Sequence, residues 1–144
     1  MLELRKFKPE DYLEIERRKF DMLTYLQFPD SKEVASRLAK GIAYTLVNSK
    51  SIVASGGILP FWKGVGEAWM VTSGLVPEYG MSFAKTVLKM LNEYAQGYDR
   101  IQTMVDAEHK VSLRWVEWMG FRNEGLMRKF IGGRDYYRFA RVRS

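Results

Sequence analysis

Two short stretches of this chain carry residue types that could do chemistry. Gly80-Met81-Ser82-Phe83-Ala84 is a small-residue turn that leads from an apparent strand into an amphipathic helix. A helix start offers backbone N–H groups with no partner inside the helix and the positive end of the helix dipole, so an anion can settle there. Equally, Gly80 can simply make the turn while Ser82 caps the helix. The second stretch holds Asp106, Glu108 and His109, the only histidine. A histidine there could shuttle protons near neutral pH; alternatively Asp106 caps the next helix and His109 lies on the surface. One histidine and two acids in a four-residue turn lack the spacing of metal motifs, so no metal is expected. No Ser-His-Asp arrangement, Walker loop or dinucleotide fingerprint occurs, and Gly64-Val65-Gly66 reads as a hairpin turn.

The elements that must position these residues follow from periodicity and turn chemistry. Leu2–Phe7 alternates apolar and polar, as a half-buried strand does. Lys8-Pro9-Glu10-Asp11 opens a helix, with Tyr12, Ile15 and Phe20 on its inner face. Tyr25 to Asp30 is expected to be loop. Ser31 is a natural N-cap for a second helix that ends at Gly41. Ile42–Asn48, Ile52–Trp62 and Glu67–Leu75 read as three strands joined by the short turns Asn48–Ser51 and Lys63–Gly66. Gly56-Gly57 within the middle strand suggests a bulge or a close backbone approach. Phe83, Val87, Met90, Leu91 and Tyr94 then recur at helical spacing up to Gly97. Arg100–Val105 is a strand, Lys110–Met119 a helix, and Phe121–Ile131 with Asp135–Val142 a hairpin around Gly132-Gly133. The order β-α-α-β-β-β-α-β-α-β-β predicts an α/β (α+β) fold in one domain over residues 1–144. Its sheet is mixed and mostly antiparallel, with helices on both faces.

Composition narrows the setting. Hydrophobic residues make up 47% of the 144-residue chain and aromatics 14%, enough for a packed core and inconsistent with a disordered chain. No apolar run reaches membrane-spanning length and no signal-peptide core opens the chain, so a cytoplasmic protein off the membrane is expected. With no cysteine there is no disulfide, thiolate nucleophile or zinc-thiolate site. The net charge of +6 favours an anionic partner. That partner is nucleic acid, the phosphates of a nucleotide-bearing cofactor, or none, the charge then serving only solubility.

The element order, the entry Val76-Pro77-Glu78-Tyr79, the turn Gly80–Ala84 and the helix ending at Gly120-Phe121 together resemble the GNAT N-acyltransferases over essentially the whole chain. The resemblance implies an acyl-CoA-dependent enzyme, with acetyl-CoA as cosubstrate, that moves an acetyl group to an amine by direct attack. The amine would belong to a small molecule or a protein, and the enzyme would be a monomer or homodimer. It also implies that the backbone of Gly80, Met81, Ser82, Phe83 and Ala84 holds the cofactor pyrophosphate. Backbone groups of Ser73 and Leu75 would then hold the pantetheine arm. Glu67 is the carboxylate best placed as general base for the amine; otherwise it is a solvated residue at a strand end.

The sequence departs from the family at four places. Tyr79 stands where Arg or Gln is usual, Ser82 replaces a glycine, and Val116 occupies the place of a tyrosine that can protonate the departing thiolate. His109 takes the place of a frequent asparagine. These departures support a second reading, a catalytically degenerate GNAT-like binding or structural protein. The compact chain is also similar, more weakly, to GNAT-like proteins of tailed bacteriophages. Trp62 and Trp69 could line an acceptor groove or simply pack.

Overall fold

The computed structural model describes residues 2–28, 30–49 and 51–144. Pro29, within the expected loop, and Lys50, within the expected Asn48–Ser51 turn, lie outside the described residues. Among the described residues are seven strands and five α-helices in the order β1 (Glu3–Lys6), α1 (Pro9–Glu14), α2 (Lys19–Tyr25), α3 (Ser31–Leu38), β2 (Ile42–Asn48), β3 (Ser51–Trp62), β4 (Val65–Thr72), α4 (Gly80–Ala95), β5 (Arg100–Asp106), α5 (Lys110–Trp118), β6 (Arg122–Ile131) and β7 (Arg134–Val142). The strands hydrogen-bond in the order β1-β2-β3-β4-β5-β7-β6. β4 and β5 pair in parallel. The pairs β1–β2, β2–β3, β5–β7 and β6–β7 are antiparallel. The mixed, mostly antiparallel α/β architecture is thus the expected one.

Contacts divide the chain into two compact units. The first holds residues 1–59 and 68–87. Its core contains Phe7, Tyr12, Ile15, Ala35, Ala43 and Val71, with Trp69, Leu38 and Ile52 packed against them. Phe7 meets Trp69 edge to face with ring centroids 5.2 Å apart, a favourable geometry for two aromatic quadrupoles. A buried polar network crosses this unit. Asp11 accepts from both terminal nitrogens of Arg5 at 2.8 Å, from the Lys8 N–H at 2.9 Å and from the Thr45 hydroxyl at 2.8 Å. Thr45 in turn shares a hydrogen bond with Ser55. Each polar group that burial strips of water thereby regains a partner.

The first helical region differs from expectation. The single helix expected over Tyr12, Ile15 and Phe20 is two, because Ile15 takes an extended conformation and closes α1. Arg17 then bridges to Ser73 in antiparallel fashion. Its guanidinium donates to the Tyr12 and Ile15 carbonyls and stacks 3.7 Å above the Tyr25 ring. Those carbonyls and that ring hold the break open. The cap of α3 is Asp30 rather than Ser31: its carboxylate accepts from the Glu33 N–H at 3.0 Å. Gly56-Gly57 marks a close approach. A Cβ at Gly57 would sit 2.8 Å from the Cα of Ala43, too near for any side chain. The register irregularity of the β2–β3 pair lies elsewhere, between Leu46 and Val47.

The second unit holds residues 60–67 and 88–144. Here β7 lies between β5 and β6, and Ile101, Phe139 and Ala140 are nearly inaccessible. The β6–β7 hairpin turns on Gly132 and Gly133, both at positive φ (58° and 75°), as a two-residue turn that follows strand twist requires. β6 ends the strand order and is interrupted twice, between Asn123 and Gly125 and between Met127 and Ile131. Such breaks discourage a further strand from adding to an exposed edge.

Candidate functional site

In the first unit, the segment from the end of β4 into α4 carries most of the expected site residues. Thr72 donates from its backbone and its hydroxyl to Asp21 Oδ2 at 2.8 and 2.7 Å, fixing the strand end to α2. Ser73 is buried, and both its N–H and its hydroxyl donate to the Val53 carbonyl at 2.9 Å. The same hydroxyl accepts from the Leu75 N–H at 3.2 Å. The N–H donors of Ser73 and Leu75, expected to serve a pantetheine arm, therefore have internal acceptors. Only their carbonyls, each with a second lone pair, keep spare capacity.

A 3₁₀ turn, Val76–Glu78, follows, with Glu78 N–H on the Leu75 carbonyl and Tyr79 N–H on the Val76 carbonyl. Pro77 suits the start of such a turn because it lacks the N–H that would go unpaired. Gly80 adopts φ +49° with open space where a Cβ would be, so it is needed for backbone conformation rather than for close packing. α4 begins here, and Gly80, Met81 and Ser82 are exposed. Ser82 donates its N–H to the Tyr79 carbonyl at 3.0 Å, while Gly80 and Met81 occupy the first turn, whose N–H groups have no acceptor within a helix. Phe83 is buried and anchors the helix, and Ala84 is half-buried. No lysine or arginine stands within residues 76–84, and Glu78 is an exposed acid just ahead of the helix. An anion at this turn would meet backbone dipoles and one like charge.

Tyr79 has a role the sequence did not suggest. Its hydroxyl accepts from the Asn48 side-chain amide at 2.9 Å, which ties the turn to the end of β2. A side-chain amide opposite a tyrosine thirty-odd positions away leaves no local pattern to read.

In the second unit, Glu67 is the last β4 residue in the parallel ladder, opposite Gln102. Its side chain is only 14% exposed and is held on both oxygens. Arg138 Nη1 lies 3.0 and 2.9 Å from its two oxygens, and the Gln102 amide donates to Oε1 at 3.0 Å. Arg100 extends the chain, donating to Gln102 at 2.9 Å and pairing with both oxygens of Glu124 at 3.0 and 2.6 Å. The hydrogen bond from Arg100, aided by its charge, holds the Glu124 carboxyl below the usual carboxylate range. Glu67 is therefore no solvated strand end. It is an acceptor in a charge-alternating row that crosses β4, β5, β7 and β6. The residues that fix it are far apart in sequence, so only the strand order could reveal them.

The Asp106–His109 turn resolves into structural contacts. Arg134 holds Asp106 through Nε and Nη2 at 2.6 and 3.0 Å and reaches Glu108 at 3.1 Å. Asp106 also accepts from the Glu108 N–H at 2.9 Å. The residue in the cap position of α5 is His109, with Nε2 3.3 Å from the Ser112 hydroxyl. Asp106 thus orders the turn ahead of the helix rather than capping it. Val116 is buried, so the position matching the family's tyrosine belongs to the core. Trp69 packs within the first unit's core, while Trp62 is 69% exposed. Among the described residues no group of three or more His, Cys, Asp or Glu could hold a metal ion. Nor is any helix among them long and apolar enough to cross a membrane.

Comparison with solved structures gives this architecture its class. An acetyltransferase of the GNAT family from Bacillus anthracis superposes with a TM-score of 0.69 at 18% identity, covering 98% of this chain and 94% of that one. An IAA acetyltransferase from Bacillus cereus gives 0.71 at 15% identity, covering 99% and 100%. A spermidine N-acetyltransferase from Vibrio cholerae, in complex with CoA and spermine, gives 0.71 at 17% identity, covering 98% and 95%. The chain has the GNAT acetyltransferase fold. No family model matches the sequence, and no curated protein matches it either.

Proposed function

We propose that this chain is an acyl-CoA-dependent N-acyltransferase that moves an acetyl group from acetyl-CoA to an amine by direct attack. The observation that carries the reading is the head of α4. Gly80 at positive φ turns the chain so that an exposed, small-residue helix start follows the end of a central strand. The residues there fit a pyrophosphate in part: backbone dipoles and the Ser82 hydroxyl are available, but a compensating cation is missing. In this reading Gly80, Met81, Ser82, Phe83 and Ala84 receive the pyrophosphate, and the Ser73 and Leu75 carbonyls accept from the pantetheine amides. The cosubstrate supplies an activated acyl carbon and a thiolate leaving group.

Glu67 has a role consistent with its bonds. Its carboxylate is ion-paired with Arg138 and accepts from the Gln102 amide, so it presents an acceptor in a fixed orientation. It would draw the protonated amine electrostatically and take its proton through water, leaving the amine neutral for attack. The buried Val116 supplies no acid to the departing thiolate, which then takes its proton from solvent. Because a thiolate is a stable leaving group near neutral pH, that step needs little help. The acceptor is a small-molecule or protein amine in a cytoplasmic setting.

A second reading, a non-catalytic GNAT-fold binding protein, is favoured by the internal acceptors already found for the Ser73 and Leu75 N–H groups. Calorimetric titration with acetyl-CoA, and with CoA alone, separates the two. Saturable heat that Ser82→Glu abolishes supports the enzyme. Absence of heat at millimolar cofactor would end that reading and leave the binding protein.

A further inference from the structure

Arg141, on β7, is an arginine without an acid. Its Nη2 donates to the Asn92 side chain at 2.8 Å, a neutral acceptor, and its Nη1 is buried with no hydrogen-bond partner. Burial pushes its guanidinium down from the ordinary arginine value. Leaving such a donor unmet is costly, because hydrogen bonds to charged groups are among the stronger ones. Arginine 141 also lines two neighbouring concavities of the second unit. One is a cavity of about 190 Å³ bordered by Asn92, Gln96, Tyr98 and Arg143. The other is an open depression of about 620 Å³ bordered by Arg122, Glu124 and Arg143.

The charges around these concavities do not cancel. Glu124 is held by Arg100, and Asp99 is held by Arg143 at 2.7 Å. Arg122, opposite Ala140 in the β6–β7 ladder, is exposed and has no ion pair among the described residues. Two guanidiniums, Arg122 and Arg141, therefore remain uncompensated around one opening. Gly120 at φ +93° comes close to the Arg141 guanidinium, with its would-be Cβ 3.5 Å from Nε.

We propose that Arg141 and Arg122, which border the same open depression, form a binding site for a small oxyanion, a phosphate or carboxylate group. The guanidinium fork matches the two oxygens of such a group, and an arginine is weakly enough hydrated to serve partly buried. A turn of the Arg141 guanidinium toward the depression it shares with Arg122 gives Nη1 the acceptor it lacks. At about 620 Å³ the depression has room for one oxyanion with its bridging waters, each water claiming about 30 Å³. Its chemistry differs from that of the turn at Gly80–Ala84, which offers backbone dipoles and no arginine.

The test is thermal unfolding of the whole chain in rising inorganic phosphate and, separately, acetate, with sodium chloride holding ionic strength constant. The expected result is a rise in Tm that saturates with one of the two anions, as specific binding to the folded state requires. Phosphate saturating first identifies a phosphate group as the natural ligand; acetate saturating first identifies a carboxylate. Arg122→Gln, at an exposed position that folding tolerates, should weaken the apparent affinity about tenfold, and Arg141→Gln should abolish it. Ser82→Glu should leave the rise intact. A rise that is linear without saturation, or equal in Arg122→Gln and the parent, would overturn the site. So would a rise that Ser82→Glu removes and Arg122→Gln spares, since the anion would then sit at the head of α4.

Discussion

Replacing Asp11 by alanine tests whether the first unit depends on its buried polar network. The carboxylate is 3% exposed and accepts four hydrogen bonds. Their donors fare differently once it is gone. Arg5, with a side chain 35% exposed, can rehydrate, and the Lys8 N–H lies at an exposed residue. The Thr45 hydroxyl cannot, because Thr45 is fully buried and keeps only Ser55. Breaking a buried pair costs about 3–5 kcal/mol when the surviving charge is trapped. Since Arg5 escapes to water, the lower end applies, about 3 kcal/mol, of which the stranded hydroxyl accounts for about 1–2 kcal/mol. Thr45→Val combined with Asp11→Ala should therefore cost less than the sum of the two single changes.

The network also sets an acid dependence. Burial alone would raise the Asp11 carboxyl, but hydrogen bonds from Arg5, Lys8 and Thr45, with the Arg5 charge, outweigh it and hold the group below the usual carboxylate range. A depressed folded value means the contribution is complete above the unfolded value, about 3.9, and is lost as pH falls through the folded one. Urea unfolding followed by circular dichroism at pH 7 and between pH 4 and 2 measures both effects. Asp11→Asn should flatten the acid limb as well as lower stability at pH 7. A cost below about 0.5 kcal/mol for Asp11→Ala, within the range of an ordinary surface substitution, would refute the reasoning. An acid limb unchanged in Asp11→Asn would do the same.

Other outcomes follow from the same geometry. Glu78→Gln removes the like charge ahead of α4 and should tighten CoA binding by a few fold in calorimetry, about the worth of one charge near a helix start. Glu67→Gln keeps the shape but leaves Arg138 without its anion; it should lower kcat with amine acceptors and leave CoA affinity unchanged, read from paired kinetics and titration. Val116→Tyr should not restore an acid: the buried site is overpacked, at a cost of about 1–3 kcal/mol, visible as a lower Tm with no gain in rate. Gly57→Ala drives a methyl group into the β2 backbone at Ala43 and should prevent accumulation of folded protein, as judged by proteolysis.

The fold was legible because its signals are local. Strand alternation, the stripe from Phe83 to Tyr94 and the two glycines at 132 and 133 each act within a few residues, and each element lies close to where these place it. The break after Ile15 was not legible, since its cause is the Arg17 guanidinium seated on the Tyr12 and Ile15 carbonyls and the Tyr25 ring rather than a helix-stopping residue. Asp30 rather than Ser31 caps α3 because either side chain can cap, and only the non-helical backbone at Asp30 (φ −127°, ψ 87°) decides. The candidate site was half legible. Gly80 and the exposed start of α4 follow from residue type, but the acceptors that occupy the Ser73 and Leu75 N–H groups come from β3 and from a serine hydroxyl. Glu67 showed only a carboxylate at a strand start; its Gln102 and Arg138 partners become visible once β5, and beyond it β7, are known to follow β4 in the sheet.

The placement of tryptophan has an optical consequence. Trp69 is the first unit's tryptophan, its indole N–H buried without a hydrogen-bond partner and its ring against Phe7. Trp62, Trp115 and Trp118 all belong to the second unit. An indole in an apolar, unbonded setting emits to the blue and resists collisional quenchers, whereas exposed Trp62 and Trp118 emit to the red and are quenched readily. A variant retaining Trp69 alone would therefore report on one unit by wavelength, and a variant lacking it would report on the other. Ligand titrations monitored through both would show which unit's surroundings each ligand changes.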